Sequence, residues 1–343
     1  MRERSGAEKP YPCAPLDFGG NMFYVESGSP LTGTRLERVR RFISERGLSM
    51  GDDADFTAYI ECDGEIAAAG SLCKNVLKYI AVDESLQGEG AAASIVSALV
   101  AEAYSRGLKH LFIFTKPENE PLFGSLGFYT MAKTDDVLMM ENLRGGIDKY
   151  LDSLERGAGG VVGAAVVNCN PFTHGHLYLI EQASAKCDTL HIFVLSEDKS
   201  RFDANTRFEL VKKGVAHIKN ALVHKSEDYL ISSATFPTYF LKETADAERI
   251  NADLDIILFA ERIAKRLGIT RRFVGTEPYC PVTRAYNGRL KAILPRYGIE
   301  LIEIERLDGI SASCVRELMD EKRLDEIKKL VPETTYECIA KMI

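Results

Sequence analysis

In the second half of the chain, short apolar runs alternate with amphipathic segments, and this alternation limits the folds that are possible. The run 161–167 is followed by a helical segment, and apolar runs at 189–195 and 272–275 repeat the pattern. Strands alternating with helices at such spacings predict an α/β fold with a parallel, doubly wound sheet. In sheets of this kind a ligand binds at the carboxyl ends of the strands.

The first half predicts a different arrangement, in which strands pair as a hairpin. Residues 56–61 and 65–73 are β-rich runs on either side of the turn Asp63-Gly64. Further apolar runs and an amphipathic helix at 93–105 follow, so we expect a mixed α/β unit. Glycine pairs flank a polar helical segment between the two halves, which is typical of a linker. The predicted division is 1–145 for the first domain, 146–160 for a linker helix and 161–343 for the second domain.

Composition and charge disfavour several classes of protein. Hydrophobic residues make up 45% and charged residues 27% of the chain, which is the balance of a globular protein, and no apolar run is long enough to span a bilayer. The formal net charge of −7 disfavours nucleic acid as a partner. The first 20 residues do not resemble a signal peptide, so we expect a cytoplasmic protein without a membrane partner. The eight cysteines are scattered, and we assign them neither a metal nor a disulfide.

The strongest functional signal is the segment 170–176 (NPFTHGH), between the first apolar strand of the second half and a helix. A glycine there allows the backbone to approach a ligand, and the N-terminus of the following helix favours phosphate. A histidine and a threonine at this point can donate hydrogen bonds to phosphate oxygens. The predicted binding residues are Asn170, Phe172, Thr173, Gly175 and His176. The alternative interpretation is an ordinary strand-to-helix turn with a capping threonine and two surface histidines.

This segment resembles the (H/T)xGH signature of the nucleotidyltransferase superfamily. A second segment, 309–316 (GISASCVR), opens a helix and resembles the ISSTxxR element of the same superfamily. Ser311 and Ser313 at a helix N-terminus can hold phosphate oxygens, and Arg316 can bind the β- and γ-phosphates with its fork of donors. Together the two motifs, in the expected order, indicate nucleotidyl transfer.

Two stretches between these motifs also follow predicted strands. Lys199, with Arg201 and Arg207 nearby, brings positive charge to the carboxyl end of a strand. These cations can bind phosphate or an acyl group, although a solvated charged loop is the alternative. Gly275 and Thr276 occupy the place where the superfamily often recognises base and ribose.

In the first half, the segment 87–92 (QGEGAA) fits the (Q/R)xxGx(G/A) loop of the GNAT acetyltransferases, with Gln87, Gly90 and Ala92 on its fixed positions. In that fold, backbone N–H groups and a helix start hold the pyrophosphate of coenzyme A. The resemblance covers roughly residues 54–133. A plain turn between strand and helix is the alternative interpretation. A domain of this type can bind a coenzyme A-like arm without transferring an acyl group to an amine.

A GNAT-like half followed by these nucleotidyltransferase motifs resembles the [citrate (pro-3S)-lyase] ligase family over nearly the whole chain. The resemblance implies an AMP-forming acid–thiol ligase that uses ATP and Mg²⁺ to convert acetate into acetyl-adenylate. It implies that the acetyl group then passes to a thiol of the citrate lyase acyl carrier subunit, on an arm derived from dephospho-coenzyme A. The catalytic residues that the resemblance implies are Thr173, His176, Lys199 and Arg316.

Two other functions remain open at the level of the sequence. The chain can be a bifunctional enzyme that pairs an amine N-acetyltransferase with an adenylyl- or cytidylyltransferase for a phosphorylated metabolite. It can also be a carrier-binding assembly factor with an inert nucleotide site. The sequence does not identify the residues that bind acetate.

Overall fold

The computed structural model describes residues 23–196, 200–230, 244–278, 280–307 and 310–343, without the side chains of 244–247. These residues form two compact units, the first comprising 23–146 together with 244–247 and the second comprising the other described residues from Ile147 onward. Within the described ranges, the helices lack the combination of length and hydrophobicity that crossing a membrane requires.

In its described part, the first unit is built on a seven-stranded sheet with the order β1-β2-β3-β4-β5-β7-β6. Neighbouring strands are antiparallel except for β4 and β5, which are parallel. The strands are β1 (Val25–Gly28), β2 (Phe56–Cys62), β3 (Glu65–Cys73), β4 (Val76–Val82), β5 (Phe112–Thr115), β6 (Tyr129–Lys133) and β7 (Leu138–Glu141). The helices are α1 (Gly33–Glu45), α2 (Ala91–Ser105) and α3 (Glu120–Ser125). Separate apolar clusters, one including α2 and the other including α1, bury the two faces of the sheet.

The central strands of the first unit separate towards their ends. Only Val76 and Leu77 of β4 pair with β5, so the two strands diverge beyond their first residues. The pairing of β3 with β4 is shifted near Tyr79, whose φ of 57° lies in the left-handed region. Such a shift bends the strand and redirects its backbone groups.

In its described part, the second unit is built on a five-stranded sheet with the order β10-β9-β8-β11-β12, and every pair of neighbours is parallel. The strands are β8 (Val162–Val167), β9 (Thr189–Val194), β10 (Ala221–Lys225), β11 (Arg271–Gly275) and β12 (Glu300–Ile304). The helices are α4 (Gly146–Ser153), α5 (His174–Ser184), α6 (Ala204–Gly214), α7 (Thr244–Leu258), α8 (Lys265–Leu267), α9 (Pro281–Ile293), α10 (Ala312–Asp320), α11 (Leu324–Leu330) and α12 (Glu333–Ala340).

The predicted fold class is confirmed in both halves. From β8 the chain builds outward through β9 and β10, then returns to add β11 and β12 on the other side of β8. The order therefore reverses between β8 and β11, and such a reversal opens a crevice at the carboxyl ends of the two strands. The structure adds β12, a strand that the sequence analysis did not predict.

Helix α4, which the sequence predicted as a linker, is attached to the second unit. The Tyr150 ring stacks on Tyr229 with centroids 4.9 Å apart, and its hydroxyl donates to the carbonyl of Lys225 at 2.7 Å. Asp148 accepts two hydrogen bonds from Arg262, both at 3.1 Å. These contacts fix α4 against β10 and the helical segment that follows α7.

Candidate active site

A cavity of about 310 Å³ lies at the point where the strand order of the second unit reverses. Its walls come from β8, β11 and β12, from the starts of α5 and α10, and from α9. Of the predicted site residues that the structure describes, those lining it are Thr173, Gly175, His176, Gly275, Thr276 and Ser311. Motifs more than a hundred residues apart in sequence therefore meet around one space.

The start of α5 is fixed by a reciprocal cap between Thr173 and His176. The Thr173 hydroxyl accepts a hydrogen bond from the backbone N–H of His176, while Nδ1 of His176 accepts one from the backbone N–H of Thr173 at 3.1 Å. The arrangement matches a capping box, with histidine in place of the usual Glu or Gln. Thr173 is almost fully buried, and its hydroxyl also lies 2.8 Å from Nδ1 of the same imidazole. It therefore orients His176.

The cap also determines the protonation of His176. Because Nδ1 accepts a hydrogen bond from a backbone N–H, the proton of the neutral ring is on Nε2. Burial, and secondarily the positive charge of Arg306, lowers the pKa of His176 to about 4. At neutral pH the side chain is therefore an uncharged donor with Nδ1 held in the cap, and it lines the cavity.

Gly175 allows two helix starts to approach each other. A Cβ at this position would lie 3.3 Å from the carbonyl oxygen of Ile310 and 3.5 Å from its Cγ2. Ile310 lies two residues before α10, so a side chain at position 175 would press the second motif away from the first. The glycine therefore allows close packing of the two helix starts, whereas the sequence analysis expected it to let the backbone approach a ligand.

Helix α10 carries the second motif, but its polar residues have different positions. Ser311 lines the cavity and caps the helix by accepting a hydrogen bond from the backbone N–H of Cys314 at 3.1 Å. Ser313 is exposed, with its hydroxyl 3.1 Å from that of Ser311. Arg316 donates through Nη1 to the carbonyl of Asn170 at 2.5 Å and does not line the cavity. Arg316 thus ties α10 to the loop after β8.

The ends of β11 and β12 are joined by hydrogen bonds around Thr276. Its backbone N–H donates to the carbonyl of Ile304 at 2.9 Å, and its hydroxyl accepts from the backbone N–H of Arg306 at 3.1 Å. The guanidinium of Arg306 in turn donates to both carboxylate oxygens of Glu277, at 2.8 and 2.9 Å. On the other side, the carbonyl of Gly275 accepts from the Asn287 side chain at 3.0 Å. A charged pair therefore stands in the cavity wall.

The other predicted residues of the binding loop have packing roles. Phe172 is fully buried, and a Cβ at Gly214 of α6 would come within 2.3 Å of its ring, so its side chain belongs to the core. Asn170 accepts a hydrogen bond from the backbone N–H of Phe202 at 3.2 Å through its side chain. Lys199 lies outside the described residues.

The sequence interpretation of Arg207 as a ligand-binding cation is wrong. Its side chain is fully buried and donates to the carbonyl of Phe202 at 3.0 Å, the carbonyl of Asn168 at 2.9 Å and the side chain of Asn168 at 2.6 Å. The guanidinium therefore holds the loop after β8 against the loop before α6. Arg201, which is partly exposed, pairs with Asp320 of α10.

Comparisons with known proteins identify the family. The family model for the citrate lyase ligase C-terminal domain matches residues 162–339, and that for the acetyltransferase (GNAT) family matches residues 29–130. The [citrate [pro-3S]-lyase] ligase of Klebsiella pneumoniae is 42% identical over 88% of this chain and 91% of its own length. The chain belongs to the [citrate (pro-3S)-lyase] ligase family.

Two further proteins are similar to this chain. The ligase of the same name from Escherichia coli K12 is 40% identical over 95% of this chain and 96% of its own. A structure of Thermotoga maritima TmcAL bound with alpha-thio ATP covers 53% of this chain and 55% of that chain, at 16% identity and a TM-score of 0.39. Because the family consists of ligases, the chain is an enzyme. Neither the bifunctional alternative nor the inert assembly factor is favoured.

In the first unit, which matches the GNAT family model, the predicted residues lie at or just before the start of α2. Gly90 is the N-cap, with a φ of 86° that favours glycine, and no side chain caps the helix at that position. Gln87 is exposed and Ala92 is half-buried. Helix α2 therefore begins at a glycine without a side-chain cap, and the N-terminus of a helix suits a pyrophosphate.

Sequence reasoning missed several charged residues of the ligase cavity. Arg306 follows β12, an unpredicted strand, so nothing marked its position. Arg272 lies on β11 directly before Phe273 and Val274, and it lines the cavity together with Asp255 and Tyr286. The one available signal was a charged residue within a strand predicted to be buried, since a buried charge demands a partner.

Proposed function

We propose that this chain catalyses the ATP-dependent acetylation of the acyl carrier subunit of citrate lyase, with Mg²⁺ accompanying ATP. An oxygen of acetate attacks the α-phosphorus, and the bond from that phosphorus to the bridging oxygen of pyrophosphate breaks. The thiolate of the carrier arm then attacks the acyl carbon of acetyl-adenylate and displaces AMP. Family membership and the character of the cavity support this reaction.

One observation carries the proposal: His176 is held as a neutral donor at the N-terminus of α5, beside the cavity. Negative charge builds on the α-phosphate oxygens during the attack. A fixed N–H donor and a helix N-terminus stabilise such charge without having to reorganise. We assign the Nε2–H of His176 to an α-phosphate oxygen.

The remaining phosphates are assigned to the start of α10 and the end of β12, which line the same cavity. Ser311 caps α10 and lines the cavity, so the N-terminus of a second helix faces the triphosphate. Arg306 adds a cation at the end of β12. We assign these groups to the departing pyrophosphate, while Gly275 and Thr276 face the nucleoside.

Acetate-dependent exchange of pyrophosphate into ATP tests the first half-reaction without the carrier. The wild-type chain should catalyse it. His176→Ala should slow it by about 10² to 10³-fold, the usual effect of removing one donor to a developing anion. His174→Ala is the matched control, because this residue is on the same helix turn but does not line the cavity. Exchange that proceeds equally in all three proteins refutes the assignment.

We further propose that the first unit binds the dephospho-coenzyme A-derived arm of the carrier at the start of α2. Gly90→Val forces a β-branched residue into the left-handed region and displaces the first N–H groups of the helix. Carrier acetylation should fall while acetate-dependent exchange stays unchanged. If exchange falls in parallel, the assignment of the arm to α2 is wrong.

A further inference from the structure

Arg272 is the most unusual polar residue of the cavity. It lies on β11, three residues before the end of the strand, and its exposed fraction is 4%. Within the part of the chain that the structure describes, its Nε and Nη1 atoms are buried and have no hydrogen-bond partner. The residue nevertheless lines the cavity.

The contrast with Arg207 shows how unusual this is. Arg207 is equally buried and donates hydrogen bonds to Phe202 and Asn168. Buried donors in native proteins almost always have an acceptor, because an unsatisfied N–H loses its hydration without replacement. Arg272 instead has one face against the ring of Phe259, 4.5 Å from the centroid, and its Nε and Nη1 lack an acceptor among the described residues.

The surroundings keep this cation in place without satisfying its donors. Asp255 accepts a hydrogen bond from the Tyr286 hydroxyl at 2.5 Å, and both residues act electrostatically on Arg272. Burial lowers the pKa of the guanidinium from its usual range, and the charge of Asp255 opposes that shift. An arginine remains protonated in such surroundings, since its intrinsic pKa is so high.

The cavity also has aliphatic lining residues. Val166 of β8 and Val274 of β11 line it, together with Leu195 and Leu230. Arg272 is in register with Ala164 of β8, and alternate residues of a strand share a face, so Val166 and Val274 lie on the same face of the sheet as the guanidinium. The space thus combines a planar fork of donors with aliphatic walls.

From these features we infer that Arg272 binds the carboxylate of the acyl substrate, a small aliphatic monocarboxylate such as acetate. The inference deepens the proposed function and rests on it. A carboxylate matches the guanidinium fork in shape and charge, and the aliphatic walls suit a methyl group. One carboxylate oxygen retains lone pairs for the attack on phosphorus. Phosphate is disfavoured here, because the helix N-termini that suit it lie at the strand ends.

Arg272→Lys is the most informative variant, because it keeps the positive charge near Asp255 and Phe259 but removes the planar fork. In acetate-dependent ATP–pyrophosphate exchange, the KM for acetate should rise at least tenfold. The Kd for ATP, measured by calorimetry without acetate, should stay within twofold. Arg272→Met should raise the KM for acetate further. Arg271→Lys is the matched control, since this neighbour bonds to Glu300 and Lys186 instead. Neither the KM for acetate nor the Kd for ATP should change in this variant.

Two outcomes overturn the inference. If Arg272→Lys leaves the KM for acetate unchanged, the guanidinium does not bind the carboxylate. If it weakens ATP binding as much as acetate use, Arg272 supports the nucleotide site instead. Circular dichroism establishes whether each variant is folded. If Arg272→Met is unfolded, the result for Arg272→Lys alone tests the inference.

A separate measurement distinguishes this inference from the proposed function. Acetate should raise the melting temperature of the wild-type chain above that in sodium chloride of equal ionic strength, and Arg272→Lys should abolish the difference. A wild-type chain without exchange activity but with this acetate effect would refute the proposed reaction and leave the subsite standing. If acetate does not raise the melting temperature of the wild-type chain, the acetate subsite at Arg272 is refuted.

Discussion

His176 should act as a neutral imidazole throughout the range in which the enzyme is assayed. With a pKa of about 4, only about 1% of the side chain is protonated at pH 6, whereas a histidine with the ordinary pKa of about 6.5 would be about 75% protonated. If the neutral form is the active one, an ordinary pKa would therefore reduce the active fraction about fourfold between pH 8 and pH 6. The lowered pKa predicts no such loss.

His176→Gln separates this effect from all other titrations. Glutamine is a normal residue at this position of a capping box, so its side-chain oxygen can accept the hydrogen bond from Thr173 and preserve the start of α5. The free energy of unfolding should then change by less than about 1 kcal/mol, whereas loss of a cap costs about 0.5–2 kcal/mol. The turnover number for exchange should fall on the order of 10²-fold, because the imidazole donor is lost.

The assay is acetate-dependent exchange by both proteins from pH 5.5 to pH 8.5. Titration of the nucleotide and of other residues affects both proteins equally, so the ratio of the wild-type rate to the variant rate should be constant. His217→Gln, an exposed surface variant, controls for general effects of replacing a histidine. A ratio that falls about tenfold between pH 8.5 and pH 5.5, with a midpoint near pH 6.5, would refute the assignment of a neutral donor.

Two further predictions concern the framework that holds the site. His191 and His224 are buried and hydrogen-bonded to each other at 2.9 Å, and the pKa of each is lowered to about 4. Because the unfolded chain binds these protons more tightly, the stability they contribute is full above about pH 6.5 and is lost as the pH falls towards 4. Urea unfolding should show a loss of about 1 kcal/mol per histidine between pH 8 and pH 5.5, and the double variant with leucine at both positions should lack this loss. Arg207→Met should lower the free energy of unfolding by about 3–5 kcal/mol, because buried acceptors lose their partner, whereas Arg201→Met on the surface should cost less than about 1 kcal/mol. Equal effects of the two arginine variants would contradict the anchoring role.

The sequence by itself determined the architecture of both halves and the position of the strand-to-helix loop 170–176. Apolar runs and helix periods are local signals. A short, continuous apolar run bounded by turn residues indicates a strand of a sheet that is buried on both faces. The motif 170–176 was equally local, since a glycine, a capping threonine and a histidine three residues later specify a helix start without help from distant residues. For the same reason α5 begins at His174, inside this motif.

Tertiary structure alone decided which polar residues face the cavity. Arg207 and Arg272 are both arginines next to apolar residues, yet one is satisfied by loop carbonyls and the other lines the cavity. Arg316 has the sequence position of a phosphate ligand but bonds to the carbonyl of Asn170, 146 residues away. The destination of a long side chain depends on acceptors brought near by the packing of other elements, and no local pattern encodes those acceptors.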